Sequence, residues 1–586
     1  MDRRLLFAIG LMLIVAVLPS ILWPPERPAP GEPGVAGDSA VLSPPPRETV
    51  FVPQPAPAGP AGRAAVPPAV LQPAQPIDSV ALDTVIVESD LYRLAFSTRG
   101  ARLVSAELKD YCSFAPGDFG VVTPDCERGV AQLIPRDSRF LAYGFATTRD
   151  TLALSDWLFE ADRKVVRVSD REVTLRWSAE RAGRRVRLTY RFRPGSYLFD
   201  VEGQIGGGEN GLVTVEIGPR LRSIDADTTA DIRAYGVVTK AQGTELLKFG
   251  SLDHLERKDL VGQFEWVVIK SRYFVAGVFT IEEGQSRFGG AVAVGGPRSG
   301  GLATDVYTQV SLPAPAGRFS HSVYVGPQEF RRLKTIGHDF EDVNPYGWSF
   351  VRPIVRPFAN FIVRILLWMH EAMNLAYGWV LILFGIGVRV LLWPLNQKAM
   401  RSSTAMQAIQ PEMKALQDRY KKQDPQRLQQ EMMKLYREHG VNPLGGCLPM
   451  LIPMPVLFAL FFVFANTIEF RGVSFLWLSD LSGPDKYYIV PVIMGASMFA
   501  LMKLGQRGVP PNPQMKMMAY MMPPLMTFMF LRFAAGLNLY YTVSNIASLP
   551  QQWLISNERI RRMGERAKLR SVEVKGQKRK GRKQKG

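Results

Sequence analysis

One arginine stands inside an apolar run. Residues 384–394 read FGIGVRVLLWP, and Arg389 is their single charged group. A guanidinium keeps its proton in proteins and carries five donors. Its chemistry here is therefore electrostatic: it attracts acidic or polar groups if it faces a wet cavity. It lies about five residues before Pro394, near the end of the run, so a side chain reaching back to the membrane surface accounts for it too. On a helix the same face presents Gly378, Ile382 and Gly385, and the two glycines leave room for water, a facing helix or a passing chain.

A second set lies near the other end of the chain. In GLNLYYTVSNIASLPQQW, Asn538, Tyr541, Asn545, Ser548 and Gln552 recur at 3-4-3-4 spacing. They form one helical face. Such a face in lipid turns inward, where it bonds helices together or meets water, and the spacing does not choose between the two. A third set is Cys112 and Cys126, which bracket SFAPGDFGVVTPD. If this segment is outside the cytoplasm, oxidation is allowed, and closing a loop of about 15 residues is worth about 3 kcal/mol. A disulfide is expected; two buried thiols are the alternative.

Catalytic chemistry has little to work with. The five histidines, His254, His321, His338, His370 and His439, make no zinc-binding spacing, and there is no Walker lysine loop and no G-x-S-x-G. Gly206-x-Gly208-x-x-Gly211 matches a dinucleotide fingerprint in letters only. The segment after it, LVTVEIGPR, reads as a strand, so these glycines are expected in a turn. No enzyme activity, cofactor or metal is expected.

The elements that carry these residues follow from composition. The chain is 47% hydrophobic, yet Lys and Arg number 71 against 53 Asp and Glu, for a net charge of +18. Long apolar runs with basic flanks point to membrane spans. Residues 1–23, MDRRLLFAIGLMLIVAVLPSILW, read as an uncleaved anchor; residues 24–79 are a Pro/Ala/Gly-rich linker. Residues 80–340 hold many short alternating runs, such as KVVRVSDREVTLRWSAE and SRYFVAGVFTIEE, and predict an antiparallel β-sandwich closed by a short polar helix. Residues 353–375 predict an amphipathic helix lying on the membrane, with Phe358, Phe361, Ile362, Ile365, Leu366, Met369 and Met373 on its apolar face. A span at 377–395, a charged helical hairpin at 396–441, four spans within 445–556 and a basic tail at 557–586 complete the chain. With the anchor that makes six spans. The basic segments 398–439, 503–516 and 559–586 then fall on one side, which puts both termini in the cytoplasm and the sandwich outside. Two spans are short, and short spans thin a bilayer locally.

The stretches GVRVLLWPLNQKAM (387–400), NPLGGCLPMLIPMP (442–455), GLNLYYTVSN (536–545) and YVGPQEFRRL (324–333) carry a resemblance. The chain resembles the YidC family of membrane protein insertases, in its Gram-negative form with a large periplasmic domain. The resemblance implies a bacterial inner-membrane protein in which five spans form a hydrophilic groove. That groove would insert and help fold nascent membrane proteins, alone or with the Sec translocon. Arg389 matches the family's groove arginine. Met454, Leu457, Met494, Met529 and Tyr541 match its substrate-contacting positions, and Asn538 and Asn545 share the polar face with Tyr541. Where relatives often carry a hydroxyl four residues before the arginine, this chain has Gly385, which implies a wider groove; Pro453 stands where some relatives have glutamine. The basic tail suggests the ribosome or anionic membrane lipid as partner. Monomeric action is expected. A transporter or channel, and an anchored periplasmic carbohydrate-active enzyme, are the competing readings.

Overall fold

The computed structural model describes residues 83–116, 121–124, 126–280, 285–344, 352–397, 409–420, 425–440, 454–508 and 513–583. The expected anchor and linker lie outside them, as do Cys447, Pro453 and most of the 442–455 stretch.

Residues 84–327 build three main sheets. The largest has nine strands, ordered Thr244–Lys248, Gly236–Lys240, Trp266–Lys270, Phe274–Phe279, Arg318–Pro327, Leu198–Ile205, Arg184–Phe192, Val173–Arg181 and Glu160–Ala161. A six-stranded sheet centred on Val306–Ala314 and Gly211–Ile217 and a five-stranded sheet centred on Tyr92–Ser97 complete the layers. The alternation seen in sequence does this work: along Arg184–Phe192, Val186, Leu188, Tyr190 and Phe192 are buried while Arg185 and Arg187 face water. One apolar core runs through the sheets. The turn expected at Gly206–Gly211 is there, with Gly207 and Gly208 at φ 116° and 67°, between Leu198–Ile205 and Gly211–Ile217.

Three details depart from the expectation. The sandwich is not wholly antiparallel, because Thr84–Ser89 pairs in parallel with Val165–Val168. Phe274–Phe279 does not alternate but is buried on both faces, as are Trp266–Lys270 and Gly236–Lys240. The reason is a second cover, since Phe340 packs edge-on against Phe279 and Trp266 at 4.6 and 5.3 Å between ring centres. That cover is the segment expected as one polar helix. It is instead a short helix, Phe330–Ile336, and a single turn, Phe340–Val343, broken where Gly337, His338 and Asp339 take positive φ; Phe330, Leu333, Phe340 and Val343 are buried.

In chain order the α-helices are α1 (Thr228–Arg233), α2 (Phe330–Ile336), α3 (Arg352–Met373), α4 (Tyr377–Leu391), α5 (Gln410–Tyr420), α6 (Pro425–Glu438), α7 (Met454–Asn466), α8 (Ile489–Gly505), α9 (Pro513–Phe530) and α10 (Ala535–Lys583). α3 is amphipathic, but its apolar residues divide between two faces. Ile362, Leu366 and their neighbours Val363 and Leu367 are buried, and the helix packs on α7, while Phe361 and Trp368 are more than half exposed. α10 packs on both α4 and α8, and α9 packs on α8. α10 continues through the basic segment to Lys583 rather than ending at 556. Among the described residues no single helix is long and apolar enough to cross a membrane alone; α3 and α4 reach that length only as a pair, bent by 120°. The 15 residues of α4 rise about 22 Å, short of a hydrocarbon core of about 30 Å.

Candidate functional site

α10 is the hub. Its residues recur every three or four positions, so two of its faces can carry polar side chains to two different helices. Towards α4, the Arg389 Nε donates to the Ser544 Oγ at 2.6 Å, and the Gln551 amide donates to the Trp393 carbonyl at 3.0 Å. Among the described residues no carboxylate pairs with Arg389. Ser544 was not among the expected site residues. It belongs to a second stripe, Tyr540, Ser544, Ser548 and Gln551, whose 4-4-3 spacing is as helical as the stripe that was singled out.

Towards α8, the Asn545 Nδ2 donates to the Ser497 Oγ at 3.2 Å, and Ser497 donates to the Met494 carbonyl at 2.7 Å. About three turns further along α10, Ser556 donates to the Leu504 carbonyl at 2.7 Å and Arg559 Nη1 to the carbonyls of Gly505 and Arg507 at 2.9 and 3.2 Å. Asn538 turns to the end of α9 and donates to the Phe530 carbonyl at 3.0 Å. Asn538, Asn545, Ser548 and Gln552 are all buried. Of the two readings of this face, bonding between and along helices accounts for Asn538, Asn545 and Ser548, the last donating to the Ser544 carbonyl at 2.7 Å.

Tyr541 behaves differently. Its ring packs edge-on to Phe530, 5.3 Å between centres, and its hydroxyl is enclosed without a hydrogen-bond partner among the described residues, as is the Asn538 Oδ1. The remaining expected positions are dispersed. Met529 is 43% exposed, Leu457 is half-buried, Met494 is 2% exposed, and Met454 opens α7. Met494 thus faces packed protein rather than an open surface.

The room expected beside Gly385 is filled. A Cβ there would lie 3.3 Å from Val543 Cγ1 and 3.5 Å from Tyr540 Cδ2, so the glycine serves the close approach of α4 and α10. Gly378 does the same for the ring of Phe475. The expected wider groove is therefore not formed at this point, because α10 occupies the space that a side chain at 385 would take.

In the sheets, Cys112 and Cys126 are joined by a disulfide, with Cα atoms 5.1 Å apart. Among the described residues no three His, Cys, Asp or Glu side chains are grouped to hold a metal. An open cleft of about 440 Å³ on the nine-stranded sheet is lined by Arg187, Glu202, Gln204, Arg318 and Phe319.

Residues 84–361 match the family model described as the YidC periplasmic domain, and residues 368–562 match the one described as the 60Kd inner membrane protein. The Membrane protein insertase YidC of Chloroherpeton thalassium is 31% identical over 503 residues, covering 80% of this chain and 82% of its own. That of Chlorobaculum tepidum is 30% identical over 595 residues, covering 94% of each chain. A solved structure titled as an active YidC insertase with the first transmembrane domain resolved aligns over 80% of this chain and 94% of its own, at 17% identity and a TM-score of 0.32. With both halves matched in order and relatives this similar over most of their length, the chain belongs to the YidC family of membrane protein insertases.

Proposed function

We propose that this protein inserts nascent proteins into the bacterial inner membrane through a polar groove beside α4 and α10, with Arg389 as its fixed positive charge. Membrane insertion is the activity of the family. The observation that carries the groove is the pairing of Arg389 with a neutral hydroxyl, Ser544, and with no carboxylate among the described residues. A guanidinium so placed keeps its charge available to an acidic or polar segment. The enclosed Tyr541 hydroxyl and Asn538 Oδ1 support the same reading, since water or a polar chain there would satisfy them.

The physical task is to carry a polar segment past hydrocarbon. The short helices α4 and α8 match a locally thinned bilayer, which shortens that barrier. Burial of the client's own apolar span then drives the step without nucleotide hydrolysis. We place the anchor and five further spans in the membrane, both termini in the cytoplasm and the sheets in the periplasm, on the strength of the basic loops. The basic end of α10 and the tail after it would meet the ribosome or anionic lipid. Cooperation with the Sec translocon belongs to the same proposal.

The test is a photoreactive residue at position 541 in the full chain, presented with a ribosome-bound client. Crosslinks to the client that appear as its first span emerges are expected. Crosslinks to lipid alone, with insertion still under way, would reject the groove at this site.

A further inference from the structure

Two arginines reach in opposite directions across the junction between the sheets and the helical region. Arg471 follows the turn Ile468–Phe470 in the connection from α7 to α8 and enters the β-rich part. Its Nε donates to Asp225 Oδ1 at 2.6 Å, Nη1 to the Cys112 carbonyl at 3.0 Å and Nη2 to the Ile224 carbonyl at 3.1 Å. The side chains of Arg471 and Asp225 are 3% and 8% exposed. Arg272, from the β-rich part, points the other way: its Nε donates to the Ala465 carbonyl at 2.7 Å and Nη2 to the Ser482 carbonyl at 3.3 Å. Its own amide donates to Asp231 Oδ1, which anchors the base of the reach.

The socket for Arg471 is built on the disulfide. The loop closed by Cys112 and Cys126 carries Phe114, whose ring lies 4.5 Å under the Arg471 guanidinium. The same ring presses on Gly472, where a Cβ would come within 2.7 Å of it and where φ is +71°. The Ile224 carbonyl accepts from the Phe114 and Ala115 amides as well as from Arg471, so the loop and the guanidinium share one acceptor. Arg128 Nη1 holds the Phe114 carbonyl at 3.0 Å from the far side. Three of the groups that receive Arg471, the Cys112 carbonyl, the Phe114 ring and the shared Ile224 carbonyl, are thus set by how the 112–126 loop is closed.

We infer that the Cys112–Cys126 disulfide is the lock of a clasp, and that its opening releases Arg471 and frees the α7–α8 connection from the β-rich part. A closed loop samples few conformations, so the socket stands ready for the guanidinium; an open one must be ordered each time the arginine docks. Opening is a two-electron step. A dithiol gives two electrons and two protons, the S–S bond becomes two thiols, and the donor closes to its own disulfide. The clasp needs no client and does not depend on the groove described above.

Hydrogen–deuterium exchange of the full chain in lipid nanodiscs tests this, with dithiothreitol as the reductant. Reduction is expected to speed exchange about tenfold or more in 113–126 and, with it, in 467–485, while Leu198–Ile205 stays protected. Arg471→Met in the oxidised protein should loosen 467–485 alike, and reducing that variant should add little there. Arg471→Lys, which keeps a cation by Asp225 but cannot serve both carbonyls, should fall between. If reduction loosens 113–126 alone and leaves 467–485 as protected as before, the disulfide is a local staple and the inference is overturned. The reduction arm uses the unmodified chain, so misfolding of a variant does not remove the test.

Discussion

Arg389 and Ser544, 155 residues apart in sequence, meet at 2.6 Å, and among the described residues no carboxylate joins them to compensate the guanidinium's charge. A carboxylate in that position would have bound the arginine and cancelled it. The hydroxyl orients the fork and leaves further donors for another chain.

That arrangement predicts sorting by charge. In Arg389→Ala, insertion of a client with an acidic translocated tail should fall by about tenfold, the loss of one charge-assisted contact, with smaller losses for neutral and basic tails. Arg389→Lys should retain much of the activity, and Arg389→Glu should be worst for the acidic tail through like-charge repulsion. The measurement is insertion of one client with three tails, normalised to folded insertase. Equal losses across the tails would reject the attraction and leave Arg389 as an anchor.

Gly385 predicts a different pattern. Gly385→Ala needs Val543 to give way by a few tenths of an ångström and should be tolerated. Gly385→Leu overfills the α4–α10 contact and should cost about 1–3 kcal/mol. Its insertion defect should be the same for all three tails and should track a lowered melting temperature of the full chain in detergent. A leucine variant with native stability would show that α10 does not fill this space.

His321 predicts a pH dependence. It is fully buried, contacts the Tyr143 hydroxyl at 3.0 Å, and burial pushes its imidazole down to about 4. Below its unfolded value of about 6.5 the unfolded chain binds a proton that the folded chain refuses, so stability is complete above pH 6.5 and is lost as the pH falls towards 4. The loss is on the order of 3 kcal/mol. In His321→Gln, thermal unfolding of the full chain should be less steep with pH across that window. An unchanged pH profile would show that this imidazole does not drive it.

Removing the β-rich part should do less harm than wounding it. Deleting 84–327 while keeping 328–350 takes Asp225 away and opens Arg471 to water, where its charge costs nothing. Insertion of a small single-span client should stay largely intact, because Arg389, Ser544 and Tyr541 all lie after residue 352. Asp225→Leu instead leaves a buried, unpaired Arg471 and should cost about 3–5 kcal/mol. Complete loss of insertion by a stably folded deletion variant would contradict the assignment of the work to the helices.

The kinds of element and their order were legible along the chain. Period-two runs such as Arg184–Phe192 can bury one face only as strands, and the 3-4-3-4 stripe from Asn538 to Gln552 shares one face only on a helix. Those are local properties, set by geometry within one segment. The family, too, was legible, because its motifs are contiguous. What the tertiary structure decided is who meets whom. Periodicity named the polar face of α10 but not its partners, so Ser544 was missed and Asn545 proved to bond Ser497 on α8. The glycines beside Arg389 read as open room, and only the docking of α10 shows Tyr540 and Val543 filling it. Phe274–Phe279 looked half-exposed until Phe340 closed over its second face. Arg471 finds its carboxylate, Asp225, 246 positions away. Contacts at such separations are selected by the packing of whole elements, and no spacing along the chain encodes them.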